Sequence, residues 1–284
     1  MSDVAGDPYI SIVELSKAFQ NKSVLPSEVV DAQLKRIEVI DKKLGSYQTV
    51  YRDAAMASAK EADLALANEQ RLGPFHGIPF ALKDIFELEG HVTTCGSQEM
   101  LQRISRTTGT IVRRLVDAGG ILIGKTKTVE CALGGWGTNE HMGTPWNPWD
   151  LKEARVPGGS SSGSGVAVAS GIASCATGSD TGGSVRLPAA YCGLTGLKVS
   201  KACLPTDGIM PLSQTLDTPG PMTRNMADLA LMFSIMQDLN ANKLENDMLN
   251  GHGLFDIHMN IFKGLRLGII SEKAVSYTHL RAHE

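Results

Sequence analysis

The chain has 284 residues, of which 42% are hydrophobic and 20% are charged, a composition typical of a globular protein with a substantial core. Its formal net charge of −3 gives no electrostatic basis for binding nucleic acid or an anionic membrane. No apolar run approaches the roughly 18 residues that a membrane span needs, so we expect neither a nucleic-acid partner nor a membrane segment.

The first 70 residues carry three amphipathic patterns and predict a helical layer. A capping box at residues 11–14 opens the first helix. The second helix follows Pro26 and ends before Gly45, because proline favours the first turn of a helix and glycine favours its end. A third, alanine-rich helix covers about residues 53–70.

From residue 71 onwards, turn-rich segments alternate with short apolar runs. Residues 80–83 have strand character, residues 110–118 indicate a helix, and residues 121–123 predict a short buried strand. Another helix begins near Asn225. Strands that alternate with helices indicate parallel pairing in an α/β fold.

Glycine and hydroxyl residues dominate residues 158–184, in two clusters that flank a short apolar element. Glycine lets the main chain approach a ligand closely, and successive main-chain N–H groups in such turns can bind negative charge. A flexible linker is the alternative interpretation. Linkers lack the interleaved Val, Ile, Leu and Pro residues of this segment, so the pattern favours a binding or catalytic loop.

Residues 119–126, GGILIGKT, fit the phosphate-loop pattern GxxxxGKT and raise the alternative of an NTP-binding protein. A phosphate loop needs a strand before its first glycine and a helix after its lysine. Here a predicted helix precedes Gly119, and the apolar strand lies between the glycines. The context therefore disfavours nucleotide binding.

Residues 159–163, GSSSG, fit the pattern GxSxG and nominate Ser161 as the nucleophile of an α/β-hydrolase. That pattern requires a buried strand before the turn, whereas residues 152–157 are mostly polar and end in proline. His252 and His258 lie downstream, but neither is part of a recognisable motif. The context disfavours this interpretation as well.

Several segments together resemble the amidase signature family: residues 77–84 (GIPFALKD), 157–164 (PGGSSSGS), 178–193 (GSDTGGSVRLPAAYCG) and 217–222 (DTPGPM). The interval of 24 residues from Ser160 to Ser184 is that family's serine spacing. The resemblance covers roughly residues 74–236. It implies an amidase signature fold of the α/β class, with a mixed, largely parallel sheet covered by helices.

The resemblance implies chemical roles for three side chains. Ser184 would be the nucleophile that forms the acyl-enzyme, Ser160 the bridging serine, and Lys83 the base. It also implies a cis peptide bond between Gly159 and Ser160. A neutral lysine can accept the nucleophile's proton through an intervening hydroxyl, so the pKa of Lys83 must fall by about 3 units, which burial favours. The alternative for Lys83 is a solvent-facing strand lysine.

The resemblance further implies an oxyanion hole that stabilises the tetrahedral intermediate. Its donors would be the main-chain N–H groups of Thr181, Gly182, Gly183 and Ser184. We expect Asp180 and Arg186 to brace this turn through a buried ion pair, and Gly159 to support the turn of Ser160. The aspartate next to the base, Asp84, should lie on the opposite face of the strand from Lys83.

The implied activity is hydrolysis of a small-molecule carboxylic amide to an acid plus ammonia or amine, with no metal, nucleotide or organic cofactor. The alternative is the glutaminase component of the tRNA-dependent amidotransferase, which acts with partner subunits. A homodimer is also left open. The five scattered cysteines form no CxxC pair and predict reduced thiols in the cytoplasm.

We expect a single amidase domain over residues 1–284. Its parts would be a helical layer (1–70), a signature core (71–236), the start of a truncated C-terminal part (237–275) and a non-native tail (276–284). Residues 264–270 predict one more core strand. The tail, SYTHLRAHE, resembles translated sequencing-adapter read-through, which is the basis for expecting a C-terminal truncation.

Overall fold

A six-stranded mixed sheet forms the centre of the part of the chain that the computed structural model describes, residues 4–239 and residue 266. The spatial order of the strands is β1-β3-β2-β4-β6-β5. The strands are β1 (Tyr47–Val50), β2 (Pro79–Lys83), β3 (Ile121–Thr126), β4 (Cys175–Asp180), β5 (Thr195–Gly196) and β6 (Thr218–Thr223).

Seven helices of the described residues cover this sheet. They are α1 (Ile12–Gln20), α2 (Pro26–Leu44), α3 (Arg52–Ala67), α4 (Thr110–Asp117), α5 (Ser162–Ala169), α6 (Arg186–Cys192) and α7 (Met226–Gln237). Short 3-10 turns lie at Gln98–Met100 and Glu130–Ala132. The predicted α/β class, with a mixed sheet covered by helices, is confirmed.

The start of α1 and both ends of α2 lie where the sequence predicts them. Ser11 and Glu14 form the expected capping box, in which each side chain accepts from the other residue's main-chain N–H. Pro26 opens α2, and Gly45 ends it in the left-handed conformation with φ of 58°. The N-terminal layer also contains β1, a strand that the helical patterns did not indicate.

Parallel pairing is confined to the centre of the sheet. Strand β2 pairs in parallel with β3 on one side and with β4 on the other. Strand β1 pairs antiparallel with β3, and β6 pairs antiparallel with both β4 and β5. The carboxyl ends of β2 and β4 therefore meet at one edge of the sheet, which brings the segments after them together.

The side chains of β2 alternate between two hydrophobic clusters, one on each face of the sheet. Phe80 and Leu82 pack in the cluster that contains residues of α1, α4 and α7. Ala81 packs in the cluster that contains residues of α2, α3 and α5. Lys83 lies two residues beyond Ala81, and the same alternation directs it towards the α5 face.

Some expectations fall outside the residues that the structure describes. They concern the predicted strand at residues 264–270, apart from residue 266, and the expected tail at residues 276–284. Among the helices of the described part, none combines the length and the apolar character needed to cross a bilayer.

Candidate active site

Lys83 ends β2 with a fully buried side chain that two serines contact. Its Nζ donates to Ser160 Oγ at 2.7 Å and to Ser179 Oγ at 2.8 Å. Ser179 lies in β4, the strand parallel to β2, and Ser160 immediately precedes the N-cap of α5. Neighbouring strand ends and the start of a helix therefore converge on the lysine amine.

Burial lowers the pKa of Lys83 from its ordinary value of 10.5 to about 7, because desolvation disfavours the charged ammonium. The negative charges of Asp180 and Asp217 oppose this effect, as does Cys95 to a smaller degree. Lys83 is thus a buried lysine whose amine is substantially neutral near pH 7, not a solvent-facing strand lysine.

Ser160 follows a cis peptide bond with Gly159, at the position where the sequence resemblance implies one. Its side chain is fully buried, and its carbonyl oxygen accepts from Thr128 Oγ1 at 2.9 Å and from the N–H of Val129 at 3.1 Å. A Cβ at position 159 would lie 2.6 Å from the main-chain nitrogen of Gly137. Close packing of main chain therefore requires glycine there and holds the serine in place.

Ser184 lies in the turn between β4 and α6, with 9% of its surface exposed. Its carbonyl oxygen accepts from the N–H of Ser161 at 3.3 Å, which brings the turn of Ser184 beside the loop that carries Ser160. Within the described residues, the Ser184 hydroxyl forms no hydrogen bond with Ser160. The structure thus joins Lys83 to Ser160 directly and places the turn of Ser184 beside the loop of Ser160.

The carboxylate of Asp180 organises the turn around Ser184. It accepts from the N–H groups of Gly183 at 2.7 Å and Val185 at 3.1 Å, and from Arg186 Nε and Nη2 at 3.0 and 2.9 Å. Burial raises the pKa of Asp180, but the hydrogen bonds from Arg186 and from the amides outweigh it and hold that pKa below its ordinary value.

The expectation of a buried ion pair between Asp180 and Arg186 is wrong in one respect. The pair exists and Asp180 is fully buried, but the side chain of Arg186 is 54% exposed. A guanidinium at the first position of α6 can reach the carboxylate and still present its outer face to solvent. The pair braces the turn from its surface side.

The four expected oxyanion donors are not equivalent. The N–H of Gly183 already donates to Asp180, so the expectation that it serves as an oxyanion donor needs correction. The reason is local, because the carboxylate of Asp180 lies three residues earlier in the same tight turn and accepts a hydrogen bond from this amide. The N–H groups of Thr181, Gly182 and Ser184 have no acceptor in the part of the chain that the structure describes.

Two residues of this site were missed from the sequence. Ser179 contacts the Lys83 amine, and the signal for it was its place in the segment of residues 178–193 that belonged to the resemblance. Asp217 accepts from the hydroxyl of Thr181 and from the main-chain N–H groups of Leu212 and Ser213. Its signal was the DTPGPM segment, which belonged to the resemblance but had no assigned role.

The phosphate-loop alternative is contradicted by the surroundings of Lys125. This lysine lies within β3, and its Nζ is 3.3 Å from Asp84 Oδ1, with both side chains buried. It also donates to the Val92 carbonyl at 3.0 Å and to the Thr93 hydroxyl. Asp84 pairs with this lysine rather than with Lys83, which agrees with the opposite-face expectation.

The hydroxyl of Ser161 is bound to the main chain and does not have the surroundings of a hydrolase nucleophile. Its hydroxyl donates to the Ser179 carbonyl at 3.4 Å and accepts from the Ser179 N–H at 3.3 Å. Among the described residues, no histidine forms a hydrogen bond with it. His252 and His258 lie outside the described residues. The structure therefore gives no support to the GxSxG interpretation.

A cavity of about 330 Å³ borders Ser179 and Thr181. The rest of its lining comes from Ala132 and from residues within 201–219. A larger cavity, of about 650 Å³, lies between α2 and the loop of Pro148, and Lys83, Ser160 and Ser184 do not line it. Those three residues do not line the smaller cavity either, but its wall includes Ser179, which contacts the Lys83 amine. No group of three or more metal-ligating side chains occurs within the residues described.

Comparison with known proteins gives a consistent result. The model of the family described as Amidase matches residues 28–283. The chain is 40% identical over 228 residues to a 2-amino-5-chloromuconic acid deaminase of Comamonas testosteroni, covering 80% of this chain and 49% of that protein. It is 37% identical over 266 residues to a glutamyl-tRNA(Gln) amidotransferase subunit of Prochlorococcus marinus, covering 93% of this chain and 54% of that protein.

Among solved structures, the peptide amidase of Stenotrophomonas maltophilia resembles the chain with a TM-score of 0.75 and 32% sequence identity. That match covers 83% of this chain and 50% of the peptide amidase. The chain thus spans about half the length of the curated relatives and the solved structure that it matches.

Proposed function

The chain belongs to the amidase family, and we propose that it hydrolyses a small-molecule carboxylic amide to an acid plus ammonia or amine. The observation that carries this proposal is the buried hydrogen bond of 2.7 Å between Lys83 Nζ and Ser160 Oγ. A lysine whose pKa is lowered to about 7 can accept a proton, and a hydroxyl in contact with it can relay one.

In the proposed acylation step, Ser184 Oγ attacks the carbonyl carbon of the amide. Its proton moves to Ser160 while the proton of Ser160 moves to the neutral amine of Lys83. A carbon–oxygen bond forms, and the carbonyl oxygen becomes an oxyanion. The free N–H groups of Thr181, Gly182 and Ser184 would stabilise that charge, and each such donor typically contributes about 3 kcal/mol.

The tetrahedral intermediate then collapses and the carbon–nitrogen bond breaks. The leaving amine takes a proton that returns from the Lys83 ammonium through Ser160, which restores the neutral lysine. Water attacks the acyl group on Ser184 by the same relay and releases the acid. These steps use only side chains and main-chain amides of this chain and require no cofactor.

A second candidate function is that of the glutaminase component of a tRNA-dependent amidotransferase. It is supported by the 37% identity that covers 93% of this chain. In that case the same serine would release ammonia from glutamine for use by a partner subunit. Release of ammonia from glutamine that rises on addition of partner subunits would favour this candidate over a free-standing amidase.

The test of the proposed function is labelling with a fluorophosphonate probe, which phosphonylates an activated serine. We expect labelling of the wild-type protein at Ser184 that Ser184→Ala abolishes. Ser162→Ala is the matched control, because this buried serine belongs to the same serine cluster, yet its hydroxyl has no hydrogen-bond partner. Unlabelled protein, or labelling that persists in Ser184→Ala, would overturn the proposal.

We also retain a cytoplasmic location as a proposal. It is supported by the five cysteines, all of which are free thiols.

A further inference from the structure

We propose that Asp217 is a positioning residue that fixes the main chain of Thr181 in the oxyanion turn and ties that turn to the wall of the neighbouring cavity. This inference rests on the proposed function. Asp217 touches neither Ser160 nor Ser184, and it acts through the hydroxyl of Thr181.

The carboxylate of Asp217 connects two segments that are distant in the sequence. Oδ1 accepts from the Thr181 hydroxyl across an interval of 36 residues. Oδ2 accepts from the N–H of Leu212 at 2.9 Å, and both oxygens accept from the N–H of Ser213, at 3.0 and 2.9 Å. The carboxylate thus closes its own loop and holds that loop against the turn.

Strand pairing places Asp217 opposite the oxyanion turn. The antiparallel ladder between β4 and β6 ends at the pair Asp180 and Thr218, and the Thr218 hydroxyl donates to the Asp180 carbonyl at 2.9 Å. Thr181 comes directly after Asp180, the last residue of β4. Asp217 comes directly before Thr218, the first residue of β6. The two residues therefore meet where the ladder stops and the turn begins.

The turn is held from two sides, and Asp217 supplies the side that Asp180 does not reach. Asp180 binds the N–H groups of Gly183, Val185 and Arg186, in the second half of the turn. In the first half, Gly182 has no side chain, and a Cβ built there would meet no atom within 4 Å. The hydroxyl of Thr181 is thus the side-chain anchor of this half.

This anchor matters for the proposed chemistry because an oxyanion donor is effective only when its N–H is already aimed at the developing charge. Thr181 and Asp217 also line the cavity of about 330 Å³, together with Leu212, which Asp217 binds. The contact therefore links the wall of that cavity to the donors of the turn.

Asp217 has a second, separable effect on the site through its charge. The groups whose charges act on Lys83 are Asp180 at the end of β4, Asp217 before β6 and Cys95 after β2. Neutralising Asp217 removes a negative charge that raises the pKa of Lys83. Removing the Thr181 hydroxyl leaves that charge in place, so the two variants differ in pH dependence.

The experiment compares Thr181→Val, Asp217→Asn and the double variant by fluorophosphonate labelling rate and by hydrogen exchange of peptides covering residues 179–187. We expect each single variant to label about tenfold more slowly and the double variant to label no more slowly than the slower single variant. Thr181→Ser should restore the wild-type rate because it keeps the hydroxyl. Amide exchange in this turn should become faster in both single variants.

The pH profile separates positioning from general damage. The pH at which labelling reaches half its maximum should shift to lower values in Asp217→Asn and remain unchanged in Thr181→Val. Asp150→Asn is the matched control, because Asp150 also accepts from two amides and an arginine in a loop but contacts none of these residues. It should alter neither the labelling rate nor exchange at residues 179–187.

Additive losses in the double variant, or unchanged exchange at residues 179–187 in both single variants, would overturn the inference. Failure of the proposed function gives a different result. In that case the wild-type chain would not be labelled at Ser184, while faster exchange in Thr181→Val and Asp217→Asn would still report the anchoring contact.

Discussion

Asp84 and Lys125 form an ion pair at 3.3 Å in which each side chain is only 1% exposed. Lys125 lies on β3 beside the end of β2, where Lys83 is equally buried. Burial lowers the pKa of both lysines, but a contacting carboxylate offsets this effect for Lys125 and not for Lys83. Two neighbouring buried lysines thus differ in their surroundings, because one has a carboxylate in contact with its amine and the other does not.

Replacing Lys125 with methionine should lower the free energy of unfolding by about 3 to 5 kcal/mol, because Asp84 then remains buried without its partner. Urea denaturation measures this loss. The double variant Asp84→Asn with Lys125→Met should lose less than Lys125→Met alone, since no unpaired charge is left.

The control for this pair is Lys35→Met, which breaks the ion pair between Lys35 and Asp31 on the exposed face of α2. An exposed pair contributes at most about 1 kcal/mol, so the change should be small. Equal losses in Lys125→Met and Lys35→Met would contradict the importance assigned to the buried pair.

Lys83 should make the stability of the wild-type chain depend on pH. Its pKa is about 7 in the folded chain and 10.5 ordinarily, so between these values the unfolded state binds a proton that the native state lacks. The free energy of unfolding should therefore rise with pH across this window, by up to about 1.4 kcal/mol per unit of pH. Below the pKa of Lys83 in the folded chain, the amine is charged in both states and the destabilisation from its burial reaches its full size.

Lys83→Met should remove this contribution, and urea denaturation at several pH values between 7 and 10 measures it. The variant should gain stability relative to the wild type as the pH falls, while fluorophosphonate labelling is lost. Lys35→Met, which changes an exposed lysine, should retain the wild-type slope. A wild-type slope that survives in Lys83→Met would show that another group causes it.

Gly159→Ala should be destabilising, because its Cβ would lie 2.6 Å from main-chain atoms of Gly134 and Gly137. Main chain cannot yield as a flexible side chain can, so we expect a loss of about 1 to 3 kcal/mol in thermal unfolding. Gly182→Ala is the matched comparison for stability, since its Cβ would meet no atom within 4 Å. Equal melting temperatures for the two variants would refute this steric argument.

Local signals in the sequence were sufficient for the start of α1 and both ends of α2, but not for every strand. The capping box of Ser11 and the pair Pro26 and Gly45 act within a few residues, so their positions follow directly from the sequence. Strand β6 reads TPGPMT, and two prolines argue against an internal strand. Pro219 and Pro221 are two residues apart, so their missing N–H groups fall on the same side of the strand, but only the pairing shows which strand lies on each side.

In the candidate site too, features within one segment could be predicted, whereas contacts between segments could not. The resemblance indicated Lys83, Ser160 and the cis peptide before Ser160 from motifs that lie within single segments. The capture of the Gly183 amide and the contact between Thr181 and Asp217 depend on turn geometry and strand pairing, which no single segment encodes.

The five hydrogen bonds that Asp180 accepts also determine how the turn of Ser184 responds to the ionic strength of the solution. Three of them come from main-chain amides, and two come from the half-exposed guanidinium of Arg186. Dissolved ions screen exposed charges over about 10 Å at 0.1 M, but they have little effect on amides buried against a carboxylate. Rising ionic strength therefore weakens the hydrogen bonds from Arg186 first, while the main-chain amides keep the turn of Ser184 in shape.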